Sequence, residues 1–130
     1  MNAGQASPCP CRADAAEAAH SFWTRGEVLR QFVDESHFSV RVVRCRSCGR
    51  RALRLFFELM DMSGGDDSQA WVTGLLTDRQ SAALEAPDAD WLAVATDADP
   101  DRRFIARVYP RGGNLMIAWG TGPLPMFPHD

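Results

Sequence analysis

The chain has 130 residues, of which 45% are hydrophobic and 24% charged, and these proportions predict one globular domain, residues 1–130, rather than a disordered chain. No apolar run approaches the roughly 18 residues that a membrane helix needs, and the N-terminus lacks the basic and apolar regions of a secretory signal. We therefore predict a cytoplasmic protein with no membrane partner.

The formal net charge is −3, but the charge is unevenly placed. All fourteen basic residues are arginine, and residues 41–54 contain six of them and no acid: Arg41, Arg44, Arg46, Arg50, Arg51 and Arg54. The rest of the chain has eight arginines against seventeen acids, a balance of −9. A basic segment on an acidic chain leaves nucleic acid open as a partner.

The N-terminal third predicts an arm followed by helix. Residues 1–12 are polar and proline-containing, so they form a loose arm unless something ties them down. Residues 14–36 predict one helix or two short ones, with capping boxes at 14–17 and 24–27 and a weak point at Gly26. Four apolar residues fall on one helical face in the second half: Val28, Leu29, Phe32 and Val33.

The middle of the chain predicts strands. Residues 37–45 and 50–60 alternate apolar and polar side chains, which is typical of a half-buried antiparallel pair. Their connection, 45–50, is the tip of a hairpin. A turn at 62–69 and a third strand at 70–76 follow.

The C-terminal half predicts helices and then strands. Thr77 and Gln80 mark a helix start and Pro87 a stop, and a short helix capped by Asp88 follows. Two strands joined by an Arg-Gly-Gly linker come next, and the proline-rich tail, 121–130, should be extended. The whole predicts an α+β fold, with a curved antiparallel sheet of about five strands and two or three helices on one face.

Four cysteines form two tight pairs, Cys9 with Cys11 and Cys45 with Cys48. In a reducing cytosol such pairs indicate metal or redox chemistry rather than disulfides. Two residues between Cys45 and Cys48 let both thiolates reach one ion, and Gly49 can supply a positive φ after them. Zinc prefers four tetrahedral ligands, so the four cysteines predict a structural Zn²⁺ site at the hairpin tip.

The sequence Cys-Arg-Ser-Cys-Gly at 45–49 resembles the knuckles of zinc ribbons and rubredoxins. The pair at 9–11 departs from that pattern, because it has one intervening residue instead of two. More loosely, residues 36–61 resemble a segment of small bacterial proteins that carry a cysteine pair at each end of it. This resemblance implies a four-cysteine zinc knuckle, and it does not suggest any particular activity.

Metal binding would pin the arm to the hairpin, so that binding energy becomes folding energy. Arginines near the tip would offset the net charge of −2 on zinc with four thiolates: Arg44, Arg46, Arg50 and Arg51. A redox dithiol and four unrelated thiols are the alternatives. A thioredoxin-type site would need its cysteine pair at a helix N-terminus, whereas a strand-like segment follows Cys48.

The sequence predicts binding rather than catalysis. We find no phosphate loop, dinucleotide fingerprint or nucleophile elbow, and we assign no catalytic residue. The first hypothesis is a zinc-stabilised module that binds an unknown protein partner. The alternative is a nucleic-acid-binding zinc module that uses the basic stretch Arg41–Arg54 with nearby aromatic rings. An enzyme with an unrecognised pocket is the third.

Overall fold

The computed structural model describes residues 9–65, 67–110 and 113–130. Within these residues the chain forms three α-helices and six β-strands. The helices are α1 (Ala16–Trp23), α2 (Asp78–Glu85) and α3 (Trp91–Ala95). The strands are β1 (Glu27–Glu35), β2 (Phe38–Arg44), β3 (Arg51–Leu59), β4 (Ser68–Leu75), β5 (Arg103–Tyr109) and β6 (Met116–Thr121). A 3₁₀ turn, Pro10–Arg12, precedes α1.

All six strands belong to one open antiparallel sheet, and their order in the sheet is their order in the chain. The α+β prediction with a curved antiparallel sheet is confirmed, although the sheet has one strand more than the five expected. In the described part of the chain, no helix is both long and apolar enough to span a bilayer.

The additional strand is β1, where we had predicted helix through residue 36; that prediction is wrong beyond α1. The pairing of β1 with β2 shifts register between Val28 and Arg30 and again between Gln31 and Val33. Each shift interrupts the two-residue alternation of a strand, so the apolar residues fall at spacings that imitate a helix. Neither predicted capping box forms around α1, because its N-cap is Ala15, which makes no side-chain cap.

The two sheet faces carry separate cores. On one face, alternate residues of the central strands pack with α2 and α3 in a cluster that includes Val40, Leu55, Val72, Leu84 and Val94. On the other face, α1 and the arm cover a second cluster: Cys11, Ala19, Trp23, Val43, Cys45, Ala52, Leu75 and Ile105. Two helices therefore share one face, as predicted, and α1 lies on the opposite one.

Side chains define the starts of α2 and α3. Thr77 and Gln80 form the predicted capping box, in which each side chain bonds the other residue's backbone N–H. At α3, the Asp90 carboxylate accepts a hydrogen bond from the Ala93 N–H at 3.1 Å, so the cap lies two residues beyond the predicted Asp88. Residues 1–8, one residue of the 62–69 turn and most of the 111–113 linker lie outside the described residues.

The C-terminal tail is extended, as predicted, and it docks on the larger core. Leu124 is 3% exposed, and its N–H donates to the Ala95 carbonyl at 2.8 Å. Its methyl groups pack where β4 has Gly74, which leaves the space that a Cβ would fill. The buried Arg102 guanidinium donates to the carbonyls of Ala95 and Gly122, which fixes the start of the tail against α3.

Candidate metal centre

The hairpin between β2 and β3 presents one cysteine pair. The Cys45 N–H donates to the Arg50 carbonyl at 2.8 Å, and the Gly49 N–H donates to the Cys45 carbonyl at 2.9 Å. Gly49 has φ +80°, a conformation that side chains disfavour. The knuckle geometry predicted for 45–49 is therefore present, with Cys45 buried and Cys48 exposed.

The arm presents the other pair on a single tight turn. The Arg12 N–H donates to the Cys9 carbonyl at 2.8 Å, which closes the 3₁₀ turn around Pro10. Cys11 is fully buried against α1, and Cys9 is partly exposed. Cys9 and Cys11 are separated by one residue, where a zinc-ribbon knuckle has two. The turn nevertheless brings both thiols into the same cluster, so this shorter spacing is compatible with a shared site.

The structure brings together the four cysteines that we selected from the sequence. The Sγ atoms of Cys9 and Cys45 are 3.6 Å apart, as are those of Cys11 and Cys48. All four Sγ atoms lie within 4.8 Å of one another. Four sulfur atoms from two segments about 35 residues apart therefore surround one point and could hold a metal ion.

The protein environment tunes these thiols unequally. Burial alone would raise the pKa of Cys45, but backbone N–H groups of Cys48 and Ser47 donate to its sulfur and help to lower the pKa to about 7. Burial raises the pKa of Cys9 and, more strongly, that of Cys11. Cys45 is thus better prepared than Cys9 or Cys11 to bind a cation as thiolate, and those two thiols would release protons when a metal binds.

Two tryptophans also hold the arm, a role that the sequence did not reveal. The Trp23 indole donates to the Cys11 carbonyl at 2.8 Å, and the Trp119 indole donates to the Ala13 carbonyl at 2.9 Å. A buried indole N–H normally finds an acceptor, but nothing in the sequence identifies which one.

The six arginines of 41–54 do not share one surface. Arg41 and Arg54 occupy the α1 face of the sheet, where they are register partners. The other four lie on the opposite face or at the knuckle: Arg44, Arg46, Arg50 and Arg51.

Only part of this second group is free to offset thiolate charge. Arg44 pairs with Glu27 and Arg51 with Glu85, while Arg46 donates to the Arg25 carbonyl at 3.0 Å. The exposed Arg50 forms no ion pair with a described residue. Charge compensation by all four arginines remains a prediction.

Beside the exposed Cys48 lies an open cavity of about 690 Å³. Its polar wall includes Arg12 from the arm, Arg50 from the knuckle and Asp78 at the start of α2. No histidine belongs to the ligand cluster among the described residues; the His37 ring nitrogen, for example, lies 2.9 Å from the Glu58 carboxylate.

Comparison with known proteins found no matching family model, no matching curated protein and no matching solved structure. The resemblance to small bacterial zinc-knuckle proteins remains a prediction. What is established at the site is a cluster of four cysteines within metal-binding distance.

Proposed function

We propose that the four cysteines hold one structural zinc ion and that the chain is a zinc-stabilised module that binds another protein. The observation that supports the metal is the sulfur geometry. A tetrahedral site with Zn–S bonds of about 2.3 Å separates its sulfur atoms by about 3.8 Å. The shortest separations here are 3.6 Å, so an ion fits after a small adjustment.

The ligand set favours a structural role over a catalytic one. Four thiolates fill a tetrahedral coordination shell, which leaves no position for a substrate or an activated water. The same shell favours zinc over harder cations such as magnesium and calcium, which prefer oxygen ligands. The ion would join the arm to the β2–β3 hairpin.

Metal analysis of protein purified without added metal tests this proposal. We expect one zinc per chain, with zinc–sulfur coordination in X-ray absorption, and loss of zinc in Cys9→Ser and Cys48→Ser. Ser47→Ala is the matched control, since residue 47 lies in the knuckle but contributes only its backbone N–H. Folded protein with four reactive thiols and no bound metal would overturn the proposal.

The binding role is supported by a contrast between the edges of the sheet. β1 has four charged residues and two register shifts. Both features protect an edge strand against pairing with another chain. β6, Met-Ile-Ala-Trp-Gly-Thr, has no charged residue and pairs regularly with β5. Its other edge is therefore suited to an extended segment of a partner protein, which would add a seventh strand.

An apolar pocket begins at β5, one strand in from this edge. Met116 on β6 is the register partner of Val108 on β5, and Val108 lines a cavity of about 330 Å³ with Leu59, Tyr109 and Phe127. Met116 is 58% exposed. A strand that pairs with β6 would cover Met116 and could place an apolar side chain in the pocket, which supplies sequence preference beyond backbone pairing.

Short extended peptides with alternating apolar side chains are the probe. We expect binders selected from such a library to shift the amide resonances of β6. Ala118→Lys places a charge on the exposed side of β6 and should weaken the binding of these peptides at least tenfold. Val28→Lys on the opposite edge is the control and should leave binding unchanged. Absence of any binder, or equal binding to Ala118→Lys, would overturn the β6 assignment without affecting the zinc result.

Nucleic-acid binding through residues 41–54 is the weaker proposal, because these arginines divide between two faces and two of them are ion-paired. It requires affinity that falls steeply with salt concentration. Reversing the charge of Arg50 and Arg51 should then abolish binding of single- or double-stranded oligonucleotides. Unchanged binding in that variant would exclude this surface.

A further inference from the structure

Three arginines lie on the face of the sheet that α1 covers, and two of them approach side chains of α1: Arg54 lies near His20 and Arg107 near Glu17. Arg41 on β2 and Arg54 on β3 are directly opposite each other. Arg107 on β5 is the register partner of Trp71 on β4. The Arg54 guanidinium carbon lies 4.5 Å from the centre of the Trp71 ring.

These cations are poorly neutralised. Among the residues that the structure describes, no carboxylate forms an ion pair with Arg41 or Arg54, and Glu17 reaches Arg107 only at 4.0 Å. Arg54 is 8% exposed. The Nε atoms of Arg41 and Arg107 are buried, and no described residue accepts a hydrogen bond from them.

Such an arrangement costs stability. Like charges directly opposite in a sheet repel each other, and a buried charge without a counter-ion is unfavourable. Burial, with a smaller contribution from Arg41, lowers the pKa of Arg54 to about 10, which still leaves it charged at neutral pH. An anion that bound among the three guanidinium groups would remove this cost.

The nearest histidine does not supply that anion, and it adds no further positive charge. His20 on α1 places its Nδ1 3.4 Å from an Arg54 nitrogen. Burial, then Arg54 and Arg107, lower the pKa of His20 to about 4. The neutral imidazole can accept a hydrogen bond from Arg54, and Thr73 accepts another at 3.2 Å. These two acceptors orient the guanidinium without neutralising it.

We propose that Arg41, Arg54 and Arg107 form a binding site for one phosphate group. Three arginines and Glu17 leave a local charge of about +2, which matches a phosphate that carries about −2 near pH 7. Planar guanidinium groups bind phosphate oxygens in pairs. The group could belong to free phosphate or to a small phosphate monoester, and half-buried Phe56, whose ring centre is 4.5 Å from that of Trp71, would contact the rest of a monoester.

Titration of the protein as purified, at low ionic strength, tests the site, with inorganic phosphate in one series and a nucleoside monophosphate in another. We expect saturable binding with one site per chain, detected by calorimetry and by the arginine Nε resonances. Tighter binding of the monophosphate would assign the site to a monoester, and equal binding would assign it to free phosphate.

The variant Arg41→Gln should weaken phosphate binding at least tenfold, because it removes one of the three guanidinium groups. It should still fold, because Arg41 is only half-buried and its removal relieves repulsion with Arg54. Arg79→Gln, an exposed arginine of α2, is the charge-matched control and should change affinity less than twofold. Arg41→Lys separates charge from geometry, and we expect it to recover only part of the affinity.

Unchanged binding in Arg41→Gln would overturn the proposal, as would the absence of saturable binding to either probe. Binding of a single-stranded oligonucleotide without binding of either small probe would also overturn it, in favour of a nucleic-acid surface. None of these outcomes depends on the β6 edge or on metal content, so the proposed function is tested separately.

Discussion

The two ends of the chain are fixed to the same sheet in different ways. The N-terminal arm is held by polar contacts. Its Cys9 and Cys11 sulfur atoms each lie 3.6 Å from a sulfur of the hairpin, and the Cys11 and Ala13 carbonyls each accept a hydrogen bond from an indole. The C-terminal tail brings apolar side chains, with Leu124 buried and Phe127 against the ring of Phe57 at 5.8 Å. The arm has little apolar surface to bury and would gain its remaining stability from the proposed metal site. The tail docks by apolar packing, with a backbone hydrogen bond from Leu124.

Metal removal should have the largest effect, and it should act on the arm alone. Chelation, or Cys45→Ala, should lower the free energy of unfolding by more than about 4 kcal/mol, since site assembly and folding are coupled. Hydrogen exchange should become fast at residues 9–13 and stay slow at Leu124. Slow exchange in the metal-free arm would contradict the prediction and assign the arm to its two indole bonds.

Leu124→Ala should come next and act on the tail alone. Removing a fully buried leucine side chain costs about 3 kcal/mol, and zinc content should remain one per chain. Leu92→Ala is the matched control, because Leu92 is 48% exposed and should cost under about 0.5 kcal/mol. Urea unfolding measures both. A cost for Leu124→Ala no greater than the control would mean that the tail is not docked in solution.

Acid should weaken the arm side of the sheet through His20. Its pKa is about 4 when folded, against an ordinary value of 6.5. As pH falls from 6.5 to 4, the unfolded chain binds a proton that the folded chain does not, so stability is lost over that window by about 1–3 kcal/mol. His20→Gln should lack this component. Identical pH profiles from pH 7.5 to 5.5 for the two proteins would contradict the prediction, and acid effects on the thiolates cancel in the comparison.

Trp119→Phe should have the smallest effect. The ring is largely retained, but the Ala13 carbonyl loses its hydrogen bond, which costs about 1 kcal/mol. Exchange at the arm should rise modestly while zinc stays bound. Trp91→Phe is the control, since Trp91 packs against the larger core on the other face. An arm equally protected in Trp119→Phe and wild type would show that the metal alone holds it.

The sequence predicted those structural elements that are determined by residues close together in the chain. The knuckle at 45–49, the capping box at Thr77 and the regular strands each follow from spacing over a few positions. β1 was missed because its register shifts disrupt the alternation on which a strand assignment relies. The arginine site was found only in part, since Arg107 and His20 join Arg41 and Arg54 through the register of four strands and the placement of α1, which no local pattern encodes.

The sheet order has a consequence for how the protein is made. Each strand pairs with its neighbour in the sequence, so during synthesis the sheet can grow one hairpin at a time, with short loops to close. The arm precedes its sulfur partners in the chain by some 35 residues, since Cys45 and Cys48 follow β2. Capture of the proposed metal must therefore wait until the chain has been made through Cys48, and a loaded site would report that β1 and β2 have already been synthesised.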